Sequence, residues 1–239
     1  FGPIMAELAI QLVDSGHIKK EFILEAESDY IGTARKWLVT MSKKETDEDY
    51  YIYSVLSLMG RLNTKASNQL LLDFLSAKRN YLKQHIVEQL LKNKQTVPAS
   101  AIDILAADPG ERTSLYNSLE HNKKTSLFPK KYLTQAYFAE SNMYDLANDN
   151  EEASAITFIK KKQAKYRGRT YNFYLYKIRY DYDEESSTYL GIAGGYDAGG
   201  KKLESTEPLT TMYDEEFDAE RIDEMFETWL LKLSEEEEE

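Results

Sequence analysis

Basic side chains are concentrated in one stretch of an acidic chain. Residues 153–180 contain no aspartate or glutamate, although the protein carries a formal net charge of −11. The basic residues of this stretch are Lys160, Lys161, Lys162, Lys165, Arg167, Arg169, Lys177 and Arg179. Cations interleaved with tyrosines could bind the phosphates of RNA, an acidic glycan or lipid head groups. This candidate binding surface, the basic surface, comprises Lys160, Lys161, Lys162, Lys165, Arg167, Arg169, Tyr174, Tyr176 and Tyr180.

The C-terminal segment offers these cations a different partner. Its acidic residues are Asp214, Glu215, Glu216, Asp218, Glu220, Asp223, Glu224, Glu227 and Glu235 to Glu239. An acidic segment of the same chain would compete with an external polyanion for the lysines. The sequence therefore favours docking of the basic residues onto the C-terminal segment or onto a partner, and it disfavours nucleic-acid binding.

The tyrosines belong to a predicted strand, since residues 171–183 read YNFYLYKIRYDYD. Successive side chains of a strand point to opposite faces. One face carries Asn172, Tyr174, Tyr176, Ile178, Tyr180 and Tyr182. The other face starts with Tyr171, Phe173 and Leu175 and then becomes charged. We expect the tyrosine face to pack beneath a C-terminal helix that contains Trp229.

Two loops resemble ligand-binding motifs but each lacks a required residue. GYDAGGKK at residues 195–202 has the spacing of a phosphate-binding loop, yet Lys202 stands where a serine or threonine is needed, and Pro208 leaves no room for the following helix. DYDEES at residues 181–186 lacks the glycine and the distal glutamate of a calcium loop. Both segments are predicted to be turns of a sheet.

The three histidines, His17, His85 and His121, are far apart in the sequence and have no second metal ligand nearby. No catalytic motif accompanies them, so each is predicted to lie on a helix surface. The sequence thus predicts no catalytic residue, no cofactor site and no metal site.

The composition sets further limits. The chain has no cysteine, which excludes disulfides, thiolate nucleophiles and cysteine-ligated metals. No run approaches the roughly 18 apolar residues of a membrane span. The sequence begins FGPIMAEL, without a signal-peptide pattern, so we expect a mature product or a fragment. An acidic, cysteine-free, tyrosine-rich chain favours a bacterial cell-envelope or periplasmic location over the cytoplasm.

The N-terminal part of the chain is predicted to be helical. Apolar residues recur with helical spacing over residues 6–147. The first helix boundary is predicted at Gly60, as the C-cap of a helix over residues 50–62, and Ser67 is predicted to be the N-cap of the next helix. Later helices are predicted to start at Asn80 and at Thr96 with Pro98. Asp108-Pro109-Gly110 is predicted to interrupt the helices.

These helices form a repeat. A shift of 31 residues pairs Val55 with Ile86, Leu56 with Val87, Met59 with Leu90, Leu71 with Ile102, Phe74 with Leu105 and Leu75 with Ala106. A third step reaches Leu133, Ala136 and Tyr137 but fails at Asn117 and Ser118. Over residues 50–146 the pattern resembles a HEAT-like α-solenoid of the short bacterial type. The resemblance implies a scaffold that binds another protein, and it implies no catalytic residues.

After the polar residues 146–154 the apolar period falls from 3.6 to 2. Strands are predicted at residues 156–166, 170–182 and 188–193, as a three-stranded antiparallel meander covered by an amphipathic helix over residues 214–233. The fold class is therefore α+β. The predicted domains are a helical-repeat domain at 1–147, the sheet with its helix at 154–234, and an acidic tail at 235–239.

The function that these features favour is a non-enzymatic protein-binding or scaffold module within a larger protein or assembly. One alternative is a polyanion- or glycan-binding module that uses the basic surface. Another is an accessory domain of an enzyme whose catalytic part lies upstream.

Overall fold

The computed structural model describes residues 3–41, 49–76, 79–149, 151–182, 185–199 and 202–235. Helices fill the N-terminal part, and an antiparallel sheet with a C-terminal helix follows, which confirms the predicted α+β class. The chain divides into two compact units, Phe1–Pro129 and Lys130–Glu239. Within the described ranges, no helix is long and apolar enough to cross a membrane.

The first unit consists of short helices connected by tight turns. They are α1 (Pro3–Asp14), α2 (Lys20–Leu24), α3 (Glu27–Met41), α4 (Asp49–Leu62), α5 (Lys65–Phe74), α6 (Asn80–Lys92), α7 (Ala99–Ala107) and α8 (Pro109–His121), followed by a 3₁₀ turn at Thr125–Leu127. Helices α4 and α5 pack as one pair and α6 and α7 as the next, while α4, α6 and α8 lie side by side. Val55, Leu56, Ile86, Leu90 and Leu105 are among their buried apolar residues.

A left-handed residue after each of α4, α6 and α8 marks the repeat in the backbone. Asn63, Lys94 and Lys123 have φ values of 50°, 57° and 57°. Lys94 follows Asn63 by 31 residues, but Lys123 follows Lys94 by only 29. With this shorter step, buried Leu115 and Leu119 of α8 take the places of Ile86 and Leu90. The 31-residue shift failed at Asn117 and Ser118 because the third repeat is two residues shorter.

Two predicted helix ends were wrong. Gly60 lies inside α4, and the residue that ends the helix is Asn63. A Cβ on Gly60 would collide with the side chain of Gln89, so this glycine allows α4 and α6 to approach closely. The N-cap of α5 is Thr64, whose Oγ1 accepts from the backbone N–H of Ser67 at 3.0 Å. The predicted break at Asp108-Pro109-Gly110 separates α7 from α8, and the Asp108 side chain caps α8 by accepting from the Gly110 N–H at 3.0 Å.

Among its described residues, the second unit has four strands rather than the three predicted. Its elements are a 3₁₀ turn at Lys130–Tyr132, α9 (Gln135–Ala147), β1 (Ala155–Tyr166), β2 (Arg169–Asp181), β3 (Ser186–Asp197), β4 (Thr211–Glu216) and α10 (Ile222–Glu235). The sheet is antiparallel with the order β1-β2-β3-β4. Asp214, the predicted first residue of the C-terminal helix, instead lies in β4, and the helix begins at Ile222.

Both faces of this sheet are covered by helices, and the predicted cover for the tyrosine face was wrong. Helix α10 covers the opposite face, where the rings of Phe226 and Trp229 lie 5.3 and 5.7 Å from the ring of Phe173. The tyrosine face packs on α9, and the Tyr180 hydroxyl donates to the carbonyl of Ala147 at 2.7 Å. Helix α9 is thus part of the same compact unit as the sheet, whereas the sequence had placed it with the helical repeats.

Candidate functional site

Strand alternation divides the basic surface between the two faces of the sheet. Lys160 and Lys162 pair with Leu175 and Phe173 across the ladder and therefore point toward α10. Their ammonium groups lie 2.7 and 2.9 Å from the carboxylate of Asp223. Hydrogen bonds from Lys160 and then Lys162 lower the pKa of Asp223 to about 2. These two lysines are therefore held by the C-terminal helix of their own chain.

The other members of the basic surface do not gather around a common point. The ammonium of Lys161 lies 5.8 Å from the centre of the Tyr174 ring, and Arg167 is 3.5 Å from Glu207. Lys165 and Arg169 are exposed beside the turn between β1 and β2. Tyr174, Tyr176 and Tyr180 are buried in the core between the sheet and α9. Their rings build the fold and offer no open stacking surface.

The two loops with ligand-like motifs close the sheet. The carbonyl of Gly195, at the end of β3, accepts from the backbone N–H groups of Thr206 and Glu207, and β4 follows rather than a helix. Asp181 is 2.6 Å from Arg179. Gly200 and Lys201 of the first motif, Asp183 and Glu184 of the second, and Glu236 to Glu239 of the acidic tail lie outside the described residues. In the part of the chain that the structure covers, no cluster of His, Asp and Glu could hold a metal ion.

One histidine is buried, contrary to the prediction. His17 and His121 are exposed, but His85 on α6 is only 6% exposed. Its ring stacks on that of Tyr53 with 3.8 Å between the centroids, and its Nε2 lies 2.8 Å from the Oγ of Ser57. Burial, together with the charge of Lys92, lowers the pKa of His85 to about 4. The imidazole is therefore neutral at physiological pH.

The Ser57–His85 pair has the spacing of a nucleophile and its base. An activated serine also needs a third group that orients the imidazole and stabilises its protonated form. The Nδ1 of His85 has no hydrogen-bond partner. A base with a pKa of about 4 is also a poor acceptor for a serine proton at neutral pH. The hydrogen bond between Ser57 and His85 therefore orients a neutral imidazole, and we assign no catalytic role to the two residues.

His85 lines an open cavity of about 530 Å³ above α4, α6 and α8. Tyr53 and Tyr81 form aromatic walls and are 43% and 41% exposed, and Glu88 and Glu111 supply carboxylates. Burial, then the charges of Glu88 and Glu111, raise the pKa of Tyr53, so both carboxylates lie near its hydroxyl. We call this cavity the groove.

Two polar atoms in side chains that line the groove lack a partner in the protein. Gln84 donates from its Nε2 to the Oγ of Ser118 at 3.2 Å, while its Oε1 is buried without a donor. The Nδ1 of His85 is the second such atom. Both atoms are shielded from solvent, so they are unsatisfied polar groups of the helical packing rather than contact points for a ligand in the groove.

A second cavity of about 570 Å³ adjoins the groove and shares Tyr53 and Lys92 with it. It extends along α4 toward α1, and its cations include Lys20 and Arg61. Arg61 is itself 2.9 Å from Asp14. The groove is therefore lined by two carboxylates and two tyrosines, whereas the lining of the second cavity includes Lys20, Arg61 and Glu7.

Sequence reasoning missed this site. Asn117 and Ser118 line the groove, but the repeat alignment failed at these residues only because the third repeat is two residues shorter, so the failure was not a signal of the site. Comparison with models of known protein families, with curated proteins and with solved structures finds no match for this chain.

Proposed function

We propose that this chain is a non-enzymatic protein-binding module whose contact surface is the groove over α4, α6 and α8. The proposal retains the HEAT-like interpretation of the helical repeats and the scaffold role that it implies. Stacked helical pairs present an extended surface on which a partner segment can lie. The observation that carries the proposal is an open groove whose lining includes the exposed rings of Tyr53 and Tyr81.

The dimensions suit an extended peptide. Neighbouring packed helices are about 9 Å apart, so α4, α6 and α8 span roughly 18 Å. An extended chain advances about 3.3 Å per residue, and five or six residues would cross the three helices. Exposed tyrosines give a peptide contact area with little loss of side-chain entropy. The exposed amide of Asn117 can pair with its main chain.

Panning a random peptide display library against the immobilised full chain tests this function. We expect peptides to be enriched on the wild-type protein and lost when Tyr81→Ser removes one wall of the groove. Ile104→Ser is the matched control, because Ile104 is 45% exposed on α7 and does not line the groove. Circular dichroism confirms that both variants are folded. Enrichment of no peptide, or equal loss with both variants, would refute the proposal.

The polyanion or glycan alternative has less support. It needs free lysines and accessible tyrosines on one face, whereas Lys160 and Lys162 contact Asp223 and the three tyrosines are buried. Binding of heparin that weakens steeply with salt and disappears on charge reversal of Lys160 and Lys162 would favour this alternative instead.

A further inference from the structure

We propose that the outer edge of β1 binds an extended acidic segment of a partner protein, which joins the sheet as an additional antiparallel strand. This site belongs to the second unit and does not depend on the proposed function of the groove. Strand β1 is an edge strand, because the sheet has the order β1-β2-β3-β4. When a peptide adds to a sheet edge, main-chain hydrogen bonds provide affinity and alternate side chains provide specificity.

The turn between β1 and β2 determines which backbone groups face outward. Tyr166 pairs with Arg169 across a two-residue turn whose φ values are 47° and 73°. Positive φ at both turn residues defines a type I′ hairpin, which is closed by a hydrogen-bonded pair. Hydrogen-bonded and non-hydrogen-bonded pairs then alternate along the antiparallel ladder. The backbone N–H and C=O groups of Lys161, Gln163 and Lys165 therefore point away from β2.

Hydrogen bonding and exposure agree with this free edge. Thr170, which lies opposite Lys165, turns its carbonyl toward β3 and accepts from the N–H of Ala198 at 3.1 Å. Lys161, Gln163 and Lys165 are all exposed. In the part of the chain that the structure describes, β1 has no strand partner other than β2. One N–H and one C=O group of each of these three residues are therefore available to an incoming strand.

The side chains beside these backbone groups select an acidic segment. Lys161 and Lys165 lie on the same face of β1, four residues apart. Lys160 and Lys162, on the other face, contact the carboxylate of Asp223. Among the described residues, no carboxylate forms an ion pair with Lys161 or Lys165. Opposite charges that face each other across two strands stabilise the pairing, so the incoming segment should carry two acidic residues four apart.

The same lysines disfavour β1 of a second copy as the occupant. Lysines on an edge strand protect against pairing between identical edges. A symmetric antiparallel pair of β1 edges centred on Gln163 would place Lys161 opposite Lys165 of the second copy, and like charges in that position are destabilising. An acidic strand replaces this repulsion with attraction. The charge of the edge therefore favours a different protein over another copy of this chain.

Synthetic peptides test the inference. Each is a short, fluorescein-labelled peptide of alternating threonine and valine, which favour strands, with two glutamates or two lysines placed four residues apart. Binding to the full chain is measured by fluorescence anisotropy at low salt, where charge pairs are least screened. We expect the glutamate peptide to bind about tenfold more tightly than the lysine peptide.

N-methylated versions of the glutamate peptide separate strand pairing from simple charge attraction. The residue midway between the glutamates would lie opposite Gln163 and direct its N–H toward β1, whereas the N–H of the next residue would point away. Methylation of the first amide should weaken binding about tenfold or more, and methylation of the second should be tolerated. Addition of the unmethylated peptide should also slow amide hydrogen exchange at Lys161, Gln163 and Lys165, measured by NMR.

A charge-reversed chain tests the protein side of the contact. With Lys161→Glu and Lys165→Glu combined, the lysine peptide should bind more tightly than the glutamate peptide. Lys65→Glu is the matched control, because Lys65 is an exposed lysine at the start of α5 and should leave the preference unchanged. Circular dichroism confirms that both variants are folded.

Three results would overturn the inference. Equal affinity of the glutamate and lysine peptides would show that the edge does not select acidic residues. Equal effects of the two methylations would show association without strand pairing. Binding of no peptide would leave the lysines of β1 with edge protection as their only role. Each of these results leaves the proposed function of the groove standing, because none of them involves α4, α6 or α8.

Discussion

The surroundings of His85 disfavour protonation of its imidazole. Its ring is sandwiched between Tyr53 and the interior of the helical unit, and Lys92 adds a second positive charge nearby. The unfolded chain would hold this histidine in water, where its pKa is the ordinary 6.5. Folding therefore releases a proton at pH values between these two pKa values, and stability is linked to pH.

The first prediction concerns that linkage. The folded pKa of about 4 lies below the unfolded 6.5, so the unfolded state gains protons as pH falls through this window and stability decreases. The loss should reach about 3 kcal/mol at pH 4. In urea titrations from pH 7 to pH 4, His85→Gln should lose less stability than wild type by this amount. His121→Gln, the same change at an exposed site, should follow wild type. Parallel profiles for wild type and His85→Gln would contradict the prediction.

A second residue-scale prediction concerns Gly194 in β3. A Cβ at this position would collide with the ring of Phe173, which is buried beneath α10. A phenylalanine ring in a packed core cannot move aside freely, so Gly194→Ala should destabilise the protein by about 2 kcal/mol in urea unfolding. The control is Gly199→Ala, where the nearest atom to the added Cβ is 3.8 Å away. Equal stability of the two variants would show that the Phe173 ring can be displaced at little cost.

At the scale of elements, sequence periodicity predicted the strands well but not the layers around them. Alternation separated the tyrosine face from the face of Phe173 and Leu175 correctly, because it depends only on strand geometry. It could not assign a helix to each face. Buried tyrosine hydroxyls need acceptors, and the carbonyl of Ala147 at the end of α9 supplies one to Tyr180. Helix α10 instead places Phe226 and Trp229 on Phe173.

The third prediction measures what α10 contributes. Phe226 is fully buried against Phe173, while Leu231 on the same helix is 65% exposed. Phe226→Ala removes a ring and leaves a cavity, so unfolding should become easier by about 3 kcal/mol. Leu231→Ala should change stability by less than about 0.5 kcal/mol. Similar midpoints in urea for these two variants would mean that α10 does not cover the sheet in solution.

At the scale of the whole molecule, the two compact units differ in charge. Acidic and basic residues balance within residues 1–129, so the net charge of −11 belongs to residues 130–239. The sequence predicted the fold class and most of the core, since both follow from hydrophobic periodicity. It could not predict the groove, because Tyr53, His85 and Glu111 come from three different helices and meet only through their packing. The third repeat follows after 29 residues rather than 31, so the sequence alignment did not show that α8 packs beside α6 in the same way as α6 packs beside α4.

The last prediction concerns where the second unit begins. A composition change marks residues 146–154, but α9 lies before it and packs on β2, β3 and β4. A fragment of residues 148–239 would lose the Ala147 acceptor of Tyr180 and the apolar cover provided by Met143, which approaches Gly191. Residues 130–239 should therefore unfold cooperatively in urea, whereas residues 148–239 should show weak near-ultraviolet circular dichroism and exposed tyrosines. Equal midpoints for the two fragments would place the boundary at the composition change. A lower midpoint for residues 148–239 would instead show that the tyrosine face requires α9. Without α9 only one face of the four-stranded sheet is covered, and Tyr174, Tyr176 and Tyr180 are exposed to water.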